Sequence, residues 1–141
     1  MPPIPAIILL VDDEVSVREL VRSALEACGH IVFDAATYDD ALRIFQQHYQ
    51  EIDLLITDIA LPGNNGYELA AQIVTLRPNM KVIFASGSAG RELCRFYYMP
   101  ETDPRLLKKP FETEELLQRV QCALGSGSSQ GGSQKRRASG G

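Results

Sequence analysis

Five short apolar runs recur along this chain, at residues 6–11 (AIILLV), 31–36 (IVFDAA), 53–57 (DLLIT), 81–86 (KVIFAS) and 105–109 (RLLKK). Runs of this length, rich in Val, Ile and Leu, mark strands covered on both faces. Between them the apolar period changes to that of a helix. Val17, Leu20, Val21, Ala24, Leu25 and Cys28 form one stripe, with Gly29 as its stop. Thr37 reads as an N-cap with Asp40 at N3, ahead of a stripe of Tyr38, Ala41, Leu42, Phe45 and Tyr49. The turn formers LPGNNG (61–66) precede a helix carrying Leu69, Ala70, Ile73 and Leu76. RELCRFYYM (91–99) predicts a short fourth helix stopped by Pro100, and Leu116, Leu117, Val120 and Leu124 mark a last one. Strands alternating with helices imply an α/β fold whose parallel sheet is doubly wound, with right-handed crossovers. In such sheets the binding site lies at the carboxyl ends of the strands.

The strand ends therefore decide the chemistry. The first delivers Asp12 and Asp13, the third Asp58, the fourth Ser86 and the fifth Lys109. Three carboxylates on one edge repel one another and raise each other's pKa unless a cation sits among them. A hard divalent ion, Mg2+ with Mn2+ as a substitute, suits such oxygen ligands and keeps room for water and phosphate oxygens.

The rest of the chain excludes other classes. At 141 residues it is long enough to bury a core without staples. No apolar run reaches bilayer length, and the amino terminus MPPIPA lacks a basic start, so neither membrane insertion nor a secretory signal is expected. Cys28, Cys94 and Cys122 fit neither a disulfide framework nor a zinc site, which points to free thiols in a reducing cytoplasm. The formal charge is −4, but residues 125–141 carry three bases and no acid, so residues 1–124 hold −7. An acidic body disfavours direct nucleic-acid binding. The Gly/Ser-rich segment 125–141 reads as a flexible tail after a folded unit of 1–124, with no effector domain following.

Four blocks in register, LLVDDE, LLITDIALPGNNGYEL, VIFASG and LLKKPF, resemble those of the receiver domains of bacterial two-component response regulators. The resemblance covers residues 5–124. It implies the flavodoxin-like (βα)5 sandwich with sheet order 2-1-3-4-5, an order known for this family's chemotaxis member. It also implies that Asp58 is the phosphoacceptor, taking a phosphoryl group from a histidine kinase or a histidine phosphotransfer domain. Asp13, Asp58 and the backbone carbonyl of Ala60 would hold Mg2+ directly, and Asp12 mostly through water. Lys109 would pair with Asp58 and then with the phosphoryl group, and Ser86 would donate its hydroxyl to it. The family's usual cis bond before proline, here Pro110, would select Lys109 over Lys108. Such a chain is no enzyme in the ordinary sense; it catalyses its own phosphorylation and dephosphorylation and then binds a downstream protein partner. Ser88 and Ala60 flank the site, where they would affect hydrolysis.

Two features depart from the pattern. The switch position that usually carries an aromatic on the fifth strand is Leu106. Phe96, Tyr97 and Tyr98 lie in a short fourth helix, with at least one of them expected in the core. ASG after the fourth strand, with leucine for the aromatic, resembles receivers of hybrid sensor histidine kinases. Glu14 reads as a helix-dipole complement, and His30 and His48 have no evident partners. A degenerate receiver that binds proteins without phosphorylation is the alternative, but it usually lacks an acid, the phosphoacceptor or the lysine. An aspartate-nucleophile phosphatase would need an acid two residues after a first-strand nucleophile, with no separate Asp58, and a flavodoxin would need a Ser/Thr/Gly-rich first loop.

Overall fold

A computed structural model describes residues 5–87, 91, 93–95, 97–100 and 102–125. Its order is β1 (Ile7–Val11), α1 (Val15–Ala27), β2 (Ile31–Ala35), α2 (Tyr38–His48), β3 (Leu54–Asp58), α3 (Gly66–Leu76), β4 (Lys81–Ser86), β5 (Leu106–Lys108) and α4 (Thr113–Gly125). The strands form one parallel sheet ordered β2-β1-β3-β4-β5, as expected. Residues 91 and 93–95 are helical, where the short fourth helix was predicted. Ser88 and Phe96 lie outside the described residues, as does the expected tail apart from Gly125.

Period-two alternation in each strand splits the core into two layers. Leu9, Val11, Leu55 and Phe84 face one side with Phe45 of α2 and Leu69 and Ile73 of α3. Ile8, Leu10, Leu54 and Ile83 face the other with Val21 and Leu25 of α1 and Leu116 and Val120 of α4. Helix starts follow the capping rules: Thr37 Oγ1 accepts from the Asp40 amide at 3.1 Å, and Asn65 Oδ1 from the Glu68 amide at 3.0 Å. Gly29 ends α1 with a φ of +94° that only glycine adopts freely.

Several stripe residues do not enter the core. Leu20 is 56% exposed and Leu76 48% exposed, while Cys28 and Tyr49 also face solvent. Leu20 sits about 100° around the helix from Val21, at the edge of the stripe. Cys28 and Tyr49 are C-caps and Leu76 ends α3, so all three sit at helix ends. The fifth strand is also shorter than its sequence run, leaving Arg105 and Lys109 as its flanks. Among the described residues, no helix is long and apolar enough to cross a membrane.

Candidate functional site

Strand register brings the predicted residues to one edge. Val11 pairs with Thr57, Asp58 with Ala85, and Ser86 with Lys108, so the next residues of β1 and β5, Asp12 and Lys109, flank Asp58 and Ser86. The Lys109–Pro110 bond is cis. Asp12, Asp58 and Ser86 are buried at 3, 7 and 6% exposure, whereas Asp13 faces solvent. The Lys109 ammonium lies 2.8 Å from Asp12 Oδ2, 3.1 Å from Asp58 Oδ2 and 3.3 Å from Glu14 Oε1. The expected Lys109–Asp58 pair is therefore present, but the shorter bond goes to Asp12.

Local structure holds each group. Asp12 Oδ1 accepts from the Glu14 amide at 2.9 Å, and Arg18 Nη1 donates to the Asp12 carbonyl at 2.7 Å. Asp12 thus fastens the start of α1 while its other oxygen faces Lys109. Glu14 occupies the N-cap of α1 without a side-chain cap bond. Its carboxylate turns to Lys109 instead, a role that its sequence position did not reveal. Thr57 Oγ1 donates to the Asp58 carbonyl at 2.9 Å, fixing the backbone of the central acid. The Ser86 hydroxyl donates to the Gly87 carbonyl at 3.2 Å. Leu106 is buried beside Phe84, its register partner.

Beyond β3 the chain turns back on itself. Ala60 and Asn65 form an isolated bridge, Gly63 has a φ of +91°, and the Gly66 amide donates to the Ile59 carbonyl at 2.7 Å. A Cβ on Gly66 would lie 2.4 Å from the Asp58 carbonyl oxygen and 3.1 Å from Ile59 Cα. Backbone cannot move aside as a flexible side chain can. Gly66→Ala is expected to lower stability by about 1–3 kcal/mol, the usual range for overpacking, measured as a urea midpoint shift; an unchanged midpoint would refute the close approach.

The residues that sequence reasoning left unplaced find partners here. The Tyr67 ring packs at a tilt against Phe84, 4.7 Å between centroids, and against Tyr97 at 4.5 Å, and the Tyr97 hydroxyl donates to Glu68 Oε2 at 2.6 Å. Tyr97 is only partly buried and Tyr98 is 92% exposed at a φ of +57°, so neither is the core aromatic expected of the three, and Phe96 lies outside the described residues. His30 Nδ1 accepts from the Ala6 amide, and His48 stacks on Phe33. Aromatic contacts made across 30 residues leave no periodic trace in a sequence.

Burial pushes the Asp58 carboxyl above the ordinary carboxylate range; Lys109 pulls it down and the charge of Asp12 pushes it further up. Burial also works against the Lys109 ammonium, but its bond to Asp12 and the charges of Asp58 and Asp12 outweigh this and raise its pKa. A carboxyl whose folded pKa exceeds its unfolded value costs stability at neutral pH, and the cost fades as pH falls through the folded pKa. Metal-free Asp58→Asn is therefore expected to be more stable than wild type at about pH 7, the gap closing toward the unfolded carboxylate pKa near 4. Urea midpoints across that range check this; a gap that widens on acidification would contradict it.

One carboxylate oxygen from each of Asp12, Asp13 and Asp58 lies within 4.8 Å of the others. Such a cluster can hold a hard divalent cation, and the chemistry of three carboxylates fits it. The chain matches the family model of the response regulator receiver domain over residues 8–121. It belongs to that family, and so to the signalling phosphoacceptors of two-component systems. The response regulator receiver protein CpdR of Brucella abortus is 30% identical over 118 residues, which cover 83% of this chain and 95% of CpdR. The sensor kinase CckA of the same organism is 32% identical over 120 residues, 84% of this chain but only 12% of the kinase. A CheX–CheY–BeF3–Mg complex from Borrelia burgdorferi has a similar fold at TM-score 0.72 and 27% identity, covering 84% of this chain and 88% of that one.

Proposed function

We propose that Asp58 is the phosphoacceptor of this receiver domain, in a Mg2+-dependent reaction with a histidine kinase or histidine phosphotransfer protein. The observation that carries this is the shared ammonium: Lys109 bridges Asp58 and Asp12 on adjoining strand ends, within a carboxylate cluster of metal-binding size. An Asp58 oxygen bonds to phosphorus as the P–N bond to the donor's histidine breaks, its electron pair staying on the imidazole. Phosphoryl transfer needs alignment and charge neutralisation more than covalent help. Asp12, Asp13, Asp58 and the Ala60 carbonyl are the groups that would hold Mg2+, which supplies positive charge beside the transferred group; the BeF3–Mg complex of the CheY relative supports that chemistry. Lys109, released from Asp12 and Glu14, can follow the new charge, and Ser86 can exchange its bond to Gly87 for a phosphoryl oxygen. Added charge of roughly −1.5 to −2 at a buried strand end then shifts binding of a downstream partner. The same groups aligning water would return the aspartate, making the chain its own phosphatase.

The folded receiver unit is proposed as residues 1–124, with α4 reaching Gly125. A donor of this kind places the chain in the cytoplasm, consistent with its three free thiols. Intact mass after incubation with acetyl phosphate tests the reading. One added phosphate that requires Mg2+ is expected; a phosphate acquired equally in excess chelator would overturn it.

A further inference from the structure

A pocket of about 90 Å³ opens between β5 and the residues Arg91, Cys94, Arg95 and Met99, behind the acceptor edge. Cys94, Met99 and Leu106 form its apolar floor, Arg91 and Arg95 its outer rim, and Ser86 and Lys109 the side toward Asp58. No acid lines it among the described residues. Leucine at 106, where this family usually carries an aromatic, puts a smaller side chain on that floor.

Arg91 and Arg95 stand one helical turn apart and reach the same side. Among the described residues, neither guanidinium has an ion pair or hydrogen bond, although residues 1–124 carry a formal charge of −7. The other described arginines are engaged, from Arg18 at Asp34 to Arg119 at Glu115, with Arg77 on the Tyr49 carbonyl. The floor is fixed from behind: the Tyr67 hydroxyl, outside the pocket lining, lies 3.3 Å from Cys94 Sγ and 3.1 Å from Met99 Sδ.

We infer that this pocket is a binding site for a carboxylate on a short aliphatic stem. The paired guanidiniums select a planar anion, which they bind through fixed forks of donors. The sulfur and leucine floor selects an alkyl stem over bare phosphate. Size sets the limit: the pocket is smaller than the roughly 150 Å³ that admits benzene, so it takes a group of a few heavy atoms. That group is either a free short-chain carboxylate or the side chain of a protein glutamate. Because Ser86 and Lys109 border both sites, an anion in the pocket and a phosphoryl group on Asp58 oppose each other. This last consequence rests on the acceptor role proposed for Asp58.

Propionate titrated into the full chain at constant ionic strength, followed by amide chemical shifts, tests the site, with propionamide as control. Saturable shifts at Ser86, Cys94 and Leu106 are expected with propionate alone, weakened at least fivefold in Arg91→Gln/Arg95→Gln and abolished in Leu106→Tyr. A short peptide with one glutamate, compared with its glutamine counterpart, separates the sources: peptide binding without propionate binding assigns the pocket to a protein side chain. Binding of neither, or binding indifferent to the double substitution, would overturn the site. With Mg2+ and beryllofluoride, propionate should bind at least threefold more weakly. Unchanged affinity with beryllofluoride seen on the protein by 19F spectra would overturn the opposition, whereas no bound beryllofluoride would instead fault the acceptor reading.

Discussion

Asp58→Asn is expected to acquire no phosphate from acetyl phosphate under conditions where wild type gains a single Mg2+-dependent adduct. The amide keeps the shape of the side chain but lacks a charged oxygen to attack phosphorus, and it contributes less to a cation site. Its neighbours give no substitute. Asp12 is nearly as buried, but one oxygen is bound to the Glu14 amide and the other to Lys109. Asp13 faces solvent, outside the group bridged by that ammonium. The loss should exceed a hundredfold, since removal of a nucleophile leaves only alignment and charge to act. Intact mass measures it, and hydroxylamine lability identifies the acyl phosphate. The substitution is also expected to raise metal-free stability at neutral pH, so a missing adduct cannot be blamed on unfolding. An adduct of wild-type size on Asp58→Asn would remove Asp58 from the reaction.

The second large effect falls on the lysine. Lys109→Met keeps the length and apolar stem but removes the ammonium shared by Asp12, Asp58 and Glu14. Breaking a fully buried pair costs about 3–5 kcal/mol because a charge is left uncompensated. Here the Lys109 side chain is 14% accessible and Glu14 lies at the wet rim, so about 2–3 kcal/mol is expected without metal. The sign reverses for metal binding. Lysine and a divalent cation serve the same carboxylates, so the variant should bind Mg2+ more tightly and be stabilised by it more than wild type, following mass action. Urea unfolding with and without saturating Mg2+ measures both. A variant as stable as wild type in chelator, or one that Mg2+ does not favour further, would show that the ammonium is not what offsets the repulsion.

Both predictions depend on residues that the sequence made visible for a simple reason. In a parallel sheet every strand ends on the same edge, so Asp12, Asp58, Ser86 and Lys109 could be collected from the ends of four runs without coordinates. Glu14 was read as a complement to the helix dipole, since a residue at an N-cap has a sufficient local explanation. Nothing local signals that Lys109, 95 residues away, lies within 3.3 Å of it. Thr57 was missed, and Gly66 was read only as part of a turn; each acts through the Asp58 carbonyl, one by a bond and one by leaving room. Apolar periodicity also overcounted the core. It marks a direction around the helix, while Leu20 falls at the edge of that direction and Leu76 at the end of its helix.

The sequence by itself determined the α/β alternation, the acidic edge and the family, because strand runs, caps and turn residues act over short distances along the chain. Only the tertiary structure decided that Lys109 leans toward Asp12 rather than Asp13, that Tyr67 bridges Phe84 and Tyr97, and that a cationic pocket lies behind Leu106. Those outcomes depend on distances between elements, which come from how the two layers pack on the twisted sheet and have no counterpart in the spacing of residues.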